Sequence, residues 1–99
     1  MKTEQIELEK GTAFGYTIDL PKAPLVVIRA GNGFVMCGYL NIEAANQTGV
    51  VAARVRGVRT HDDVLRAPIV EVSREATAIG ITEGMTGREA LEKMFDSIR

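Results

Sequence analysis

The chain of 99 residues lacks the features that mark secreted, membrane-spanning and nucleic-acid-binding proteins. Its single cysteine excludes an intrachain disulfide, whereas secreted domains of this size usually depend on several. Its longest apolar runs, such as Leu25 to Ile28, fall far short of the roughly 20 residues in a membrane-spanning helix. Aromatic residues make up 5% and the net charge is −1, so stacking platforms and a basic field are both missing. These absences predict a cytoplasmic protein with no nucleic-acid or membrane partner.

The residues that are present favour one folded domain over 1–99. Hydrophobic residues make up 45%, and 12 basic residues nearly balance 13 acidic ones, unlike the high net charge of disordered chains. A chain of this length has room for one hydrophobic core. The first ten residues are polar and alternating, with no apolar segment behind a basic end, so no signal peptide is expected.

The first half alternates apolar and polar residues with the period of β-strands. The alternation runs through Ile6 and Leu8 and again from Phe14 to Leu20, with Lys10-Gly11 as the predicted turn between two strands. Pro21 ends the second strand because it removes a hydrogen-bond donor. The pattern therefore predicts a hairpin with one solvated face.

A second hairpin is predicted from the strands Leu25–Ile28 and Phe34–Leu40. Asn32-Gly33 lies between them and tolerates the positive φ values of a two-residue turn. Apolar residues occur at both odd and even positions of these strands, which predicts that they are central and covered on both faces. These residues are Val26, Val27, Ile28, Val35 and Met36.

The second half predicts short helices between short strands. Three residues are suited to cap helices. Asn41 caps a predicted helix over 42–48, Thr60 caps one that runs through Arg66, and Ser73 caps one that runs up to Gly80. The segments 50–56 and 69–72 are expected to be extended.

The carboxy-terminal segment predicts an amphipathic helix packed on the sheet. Thr86 and Glu89 have the spacing of a capping box. The apolar stripe that follows consists of Ala90, Leu91, Met94, Phe95 and Ile98. The predicted fold class is α+β, a mixed sheet of about six strands with three or four short helices.

Three blocks of the sequence resemble the YunC-like family. They are 33–40 (GFVMCGYL), 57–68 (GVRTHDDVLRAP) and 84–91 (GMTGREAL). The family comprises small bacterial and archaeal proteins catalogued as a domain of unknown function, and the resemblance extends over essentially the whole chain. It implies a compact single-domain α/β fold and assembly into a small homo-oligomer. It supplies no substrate, cofactor or catalytic residue.

Cys37 is the first candidate for chemistry. Gly38 follows it and, having no side chain, allows a ligand or another backbone to approach closely. A reactive thiol requires a nearby cation, imidazole or helix N-terminus, and His61 is the chain's single histidine. The alternative is that Cys37 is a small buried hydrophobe, as most free cysteines are.

Three arginines form the second candidate. Arg54 and Arg56 share a face of one predicted strand and Arg59 follows shortly after, so their guanidinium groups are placed to converge on a phosphate or carboxylate. The alternative is a solvated strand face whose arginines pair with carboxylates such as Glu43 or Asp62.

The remaining motifs give weaker indications of function. His61, Asp62 and Asp63 supply metal-ligand types without metal-ligand spacing, so no metal is predicted. The segment 84–87 is interpreted as helix initiation rather than an anion cradle. No Ser/His/Asp constellation, phosphate loop or dinucleotide fingerprint is present, which disfavours triad hydrolases and leaves no cofactor to predict.

Two functions remain open. The first is a homo-oligomeric accessory or small-anion-binding protein that uses Arg54, Arg59, Cys37 and Gly38. The second is a small enzyme or redox or ligand sensor that uses Cys37 at a subunit boundary, with His61 as a helper.

Overall fold

The computed structural model describes residues 1–96, which form one six-stranded sheet and four helices. The strands are β1 (Lys2–Leu8), β2 (Gly11–Ile18), β3 (Leu25–Ala30), β4 (Gly33–Met36), β5 (Val51–Arg54) and β6 (Glu71–Val72). The helices are α1 (Ile42–Thr48), α2 (His61–Arg66), α3 (Arg74–Ala78) and α4 (Gly87–Asp96).

The strands lie in the sheet in chain order. β1 to β4 form an antiparallel meander, and β5 pairs parallel with β4 after the crossover helix α1. The short strand β6 closes the sheet on β5 in antiparallel pairing. This mixed sheet confirms the predicted α+β class.

One face of the sheet carries the core. Side chains at alternate positions, such as Ala13, Val26, Ile28 and Val35, are buried on this face. Helices α2 and α4 contact it, and they contribute Val64, Leu91 and Met94 to the buried cluster. The apolar side chains at alternate strand positions therefore pack against the apolar stripe of α4, as the sequence predicts.

The opposite face differs from the prediction that the central strands are covered on both sides. Val27 and Met36 are half-buried, and α1 faces this side of β3 and β4 across an apolar groove. We call the outward side chains of β2, β3 and β4 the open face. Its apolar members are Phe14, Tyr16, Ile18, Leu25, Val27, Phe34 and Met36, and its polar members are Thr12 and Arg29.

The predicted turn of the second hairpin is off by one residue. Ala30 pairs with Gly33, so the two turn residues are Gly31 and Asn32. Gly31 has φ of 56°, and a glycine with positive φ at the first turn position matches a type II′ hairpin. The glycine before the asparagine, not the one after it, therefore makes the turn.

The predicted strand 34–40 is too long. β4 ends at Met36, and Cys37 to Leu40 form a turn closed by the Leu40 amide donating to the Cys37 carbonyl at 3.1 Å. The Cys37 amide still donates to the Val26 carbonyl at 3.0 Å. Cys37 thus lies at the end of an interior strand rather than in its middle.

The predicted caps form. Asn41, Thr60 and Ser73 each accept a backbone N–H three residues later in the chain. At α4, Thr86 Oγ1 accepts the Glu89 amide at 3.2 Å and Glu89 Oε1 accepts the Thr86 amide at 2.9 Å, which completes the capping box. Ile98, the last member of the predicted stripe, lies outside the described residues.

The capping box predicts an acid-sensitive contribution to stability. Hydrogen bonds from the Thr86 amide and hydroxyl hold the pKa of Glu89 below its ordinary value of 4.5. A lowered carboxyl pKa stabilises the fold above the unfolded value, and this contribution is lost as pH falls through the folded value. We expect the wild type to melt above Glu89→Gln at neutral pH and this difference to shrink as pH falls below about 4.5. Thermal melts across this range check it, and a constant difference would contradict it.

Candidate functional site

The loop before α2 places Arg59 at the surface. Thr60 caps the helix by accepting the Asp63 amide at 3.1 Å, and Asp63 Oδ2 accepts the Arg59 amide at 3.1 Å. The Arg59 amide is the main reason that the pKa of Asp63 is lowered. The backbone at Arg59 is therefore tied to α2, while its side chain is exposed to solvent.

A hollow of about 370 Å³ lies between this loop and the turn after β4. It is lined by Ala23, Pro24, Cys37, Gly38, Tyr39, Gly57, Val58 and Arg59. The Tyr39 hydroxyl donates to the Ala23 carbonyl at 3.1 Å, which ties the turn after β4 to the connection between β2 and β3. Three of the sequence-predicted residues, Cys37, Gly38 and Arg59, therefore share one site.

The walls of this hollow leave space for a ligand. A methyl group added at Gly38 or Gly57 would meet no atom within 4 Å. Arg59 is the one charged residue among the described residues that line it. The hollow thus has a positive charge and small walls, and none of its lining residues is acidic. This combination suits a small anion.

Cys37 is 4% exposed, and its Sγ accepts the Val26 amide at 3.4 Å. His61 does not line this hollow, because its ring is held elsewhere by Glu4 and Thr17. The enzyme hypothesis requires the Cys37 thiol to be paired with the His61 imidazole. The structure does not pair them.

The three arginines do not converge. Arg54 is half-buried and pairs with Glu71 across β5 and β6, with Nη2 2.6 Å from Oε1. It lines a separate hollow with Glu43, whereas Arg56 lies beyond the end of β5 and lines a third. Within the described chain the buried Nε of Arg54 has no hydrogen-bond partner. Arg59 alone of the three lies beside Cys37.

His61 has two partners that the sequence reasoning missed. Its Nδ1 lies 2.6 Å from Glu4 Oε1 and its Nε2 lies 3.1 Å from Thr17 Oγ1. Gly15 lies beneath the ring, since an added Cβ there would be 2.7 Å from Nε2. A glycine inside a strand signals close approach of another group, and this signal was available in the sequence.

Residues 1–96 contain neither a metal-ligating cluster nor a membrane-spanning helix. No group of three or more His, Cys, Asp or Glu residues is arranged to hold a metal ion within that range. In the same range, no helix has the length and apolar character needed to cross a membrane.

The fold and site define a class of small α+β proteins with a mixed six-stranded sheet, the helices α2 and α4 packed on one face, and a surface hollow formed by the turn after β4 and the loop before α2. The chain belongs to the YunC-like family, since residues 36–94 match the family described as "Domain of unknown function (DUF1805)". The match includes Cys37, Gly38, Arg59 and His61 and leaves out β1 to β3.

Two relatives extend the similarity. The chain is 43% identical over 83 residues to the uncharacterized protein YunC of Bacillus subtilis, which covers 80% of this chain and 82% of that protein. It also resembles the crystal structure of TA1206, a protein of unknown function from Thermoplasma acidophilum. The TM-score is 0.90 at 41% identity, covering 94% of this chain and 91% of that one.

Proposed function

We propose that the protein is a cytoplasmic homo-oligomeric accessory protein that binds a small anion at Arg59. The observation that carries the binding role is the hollow that Arg59, Cys37 and Gly38 line and that has no acidic residue in its lining. The open face supports the assembly.

The open face has the character of an interface between copies. Ile18 is 40% exposed, and Tyr39, which borders the face, is 50% exposed. Val27 and Met36 at its centre are only half-buried. A sheet whose residues are apolar at both parities is normally covered on both sides, and this chain covers only one side fully. A contiguous apolar patch of this kind marks an interaction site.

The occupant that this face fits best is a second copy of the chain. Arg29 lies on the open face with its guanidinium carbon 5.3 Å from the centre of the Phe14 ring. Glu7 lies on the same side of the sheet, where its Oε1 accepts a hydrogen bond from Thr12. A two-fold interface places a patch against itself, so each charge on the patch must meet an opposite charge of the same surface or stay in solvent. The open face and its border meet this requirement.

Anion binding requires that the Arg59 guanidinium group is not already occupied by a carboxylate of the chain. Asp63 accepts from the backbone amide of Arg59, not from its guanidinium group. Arg54, the other predicted anion ligand, already pairs with Glu71. A guanidinium fork binds carboxylate or phosphate oxygens in a bidentate manner. Arg59 is therefore the better anchor.

Adding phosphate or sulfate is expected to raise the melting temperature of the wild type through Arg59. At ten times the dissociation constant a bound anion stabilises the fold by about 1.4 kcal/mol, which is roughly 5–10 °C for a chain of this size. Arg59→Ala should lose this rise. The measurement is a thermal melt in millimolar anion at matched ionic strength.

Arg88→Ala is the matched control, because it removes one exposed positive charge from α4, away from the hollow. These anions also stabilise proteins non-specifically by exclusion from their surface. An equal rise in wild type, Arg59→Ala and Arg88→Ala would therefore show exclusion only and contradict the site.

The burial of Cys37 allows a labelling experiment to distinguish an anion-binding role from thiol chemistry. A thiol reached only through a local opening that costs about 3 kcal/mol reacts roughly 100-fold more slowly than in the unfolded chain. We expect Cys37 to show at least this protection against iodoacetamide, measured by mass spectrometry against the denatured protein. Native labelling as fast as denatured labelling would favour the enzyme or sensor function instead.

A further inference from the structure

Three side chains from distant segments form a continuous hydrogen-bonded chain. Glu4 on β1 meets Nδ1 of His61, and Nε2 of His61 meets Thr17 on β2. The His61 side chain is 10% exposed, while that of Glu4 is 60% exposed. The imidazole is thus held between a solvated carboxylate and a half-buried hydroxyl.

The fold sets the position of the ring. Glu4 is the cross-strand partner of Gly15, and Thr17 lies two residues further along the same strand, so all three positions share one face of the sheet. The missing side chain of Gly15 makes the space in which the ring lies. His61 is the first residue of α2, whose cap fixes its backbone.

The hydrogen bonds determine the tautomer of the neutral ring. An ionised carboxylate only accepts, so Nδ1 carries the proton toward Glu4. Nε2 is then an acceptor, and the Thr17 hydroxyl donates to it at 3.1 Å. A hydroxyl, a base and a carboxylate that orients the base are the three parts of an activated nucleophile.

The three residues face a second, larger hollow of about 830 Å³. Glu4, Thr17 and His61 all line it. Two cationic residues, Lys2 and Arg59, and three further acidic ones, Glu7, Asp19 and Asp62, line it as well. Lys2 is the cross-strand partner of Thr17, and directly opposed residues have Cβ atoms roughly 5 Å apart. Lys2 therefore shares a sheet face with the Thr17 hydroxyl, and its long side chain can reach toward an oxygen on which negative charge develops.

We propose that Thr17 is the nucleophile of an acyl-transfer site for small carboxylic esters. Its Oγ1 bonds to the ester carbonyl carbon while His61 Nε2 takes the hydroxyl proton. The carbon–oxygen bond to the alcohol then breaks, and Nε2 returns the proton to the leaving alcohol. In the second half of the reaction, His61 Nε2 takes a proton from water while the water oxygen attacks the acyl carbon on Thr17. The bond from that carbon to Oγ1 breaks, which frees the carboxylic acid, and Nε2 returns the proton to restore the Thr17 hydroxyl. Glu4 is a positioning residue.

Hydrolysis of p-nitrophenyl acetate tests this directly. We expect Thr17→Val and His61→Gln each to lower the rate of p-nitrophenol release by at least about 100-fold, the lower range for a general base. Thr17→Ser keeps a hydroxyl and should retain most of the rate. Thr12→Val is the matched control, because Thr12 lies on the same strand but on the opposite face.

Two further readouts separate catalysis from structure. Peptide mass spectrometry of the wild type trapped with the ester should place the acetyl group on Thr17. Nitrogen NMR of the chain's single histidine should show the Nδ1-protonated tautomer, and Glu4→Gln should shift it toward the other tautomer and lower the rate about 10-fold.

The proposal is overturned by any of three results. Folded Thr17→Val, confirmed by circular dichroism, hydrolyses the ester as fast as the wild type. The acetyl group is found only on lysines or on Cys37. Thr12→Val loses as much activity as Thr17→Val.

Discussion

Replacing Val27 with glutamate is expected to convert the assembled protein into monomers. Val27 lies on the central strand β3 and its side chain points out of the open face. In a two-fold interface both copies would bury an unpaired carboxylate, which costs several kcal/mol in each copy. Light scattering should show the mass fall to the 10.7 kDa of one chain.

Two companion variants make this result specific. Ile18→Glu changes a more exposed position of the same face and should also dissociate the assembly if Val27→Glu proves poorly folded. Thr82→Glu adds the same charge in an exposed segment before α4 and should leave the mass unchanged. Folded Val27→Glu and Ile18→Glu that keep the mass of the wild type would contradict an interface on the open face.

Gly87→Ala is expected to cause the largest loss of stability of any small substitution proposed here. Gly87 begins α4 and is buried, and its amide donates to the Ala67 carbonyl at 3.0 Å. A Cβ at this position would overlap the carbonyl oxygen of Val64 and lie 3.0 Å from its carbonyl carbon. Both obstacles are backbone atoms of α2, so no side chain can rotate away.

Both α2 and α4 pack on the core face, and the overlap forces the two helices apart there. Such overpacking costs about 3 kcal/mol, which lowers the melting temperature by roughly 12 °C or more. Gly38→Ala is the control, since an added methyl there meets nothing within 4 Å, and its change should stay within about 0.5 kcal/mol. Chemical denaturation of both variants measures the difference, and equal stability would contradict the close contact.

The elements of the fold were predictable because their signals are local. Alternation marks β1 to β4, and capping side chains at Asn41, Thr60, Ser73 and Thr86 mark all four helix starts. Strand ends were less predictable. The Cys37 to Leu40 turn follows an apolar strand without a proline, and Gly38, the local signal within it, is equally compatible with close approach inside a strand.

The Arg59 hollow was predictable only in part. In the sequence Cys37 is notable for its thiol, Gly38 for its missing side chain and Arg59 for its charge; the fold places all three together. The expected convergence of Arg54 with Arg59 depended on a long strand that in fact ends at Arg54. The register of β5 with β6 pairs Arg54 with Glu71 instead.

The His61 chain could not be predicted from local patterns. Glu4 and Thr17 lie 57 and 44 residues away from His61 in sequence. Their meeting requires the β1–β2 register and the docking of α2 over Gly15, and neither is encoded in a short motif. Tertiary packing therefore assembles a combination for which the sequence offers only its separate parts.

The coverage of the open face by a second copy is the central claim, and the mass of the unaltered chain in solution tests it most directly. Sedimentation velocity at several protein concentrations should give a species at a multiple of 10.7 kDa. A single species of 10.7 kDa at every concentration would mean that the apolar side chains of β2, β3 and β4 face water, and it would contradict the claim.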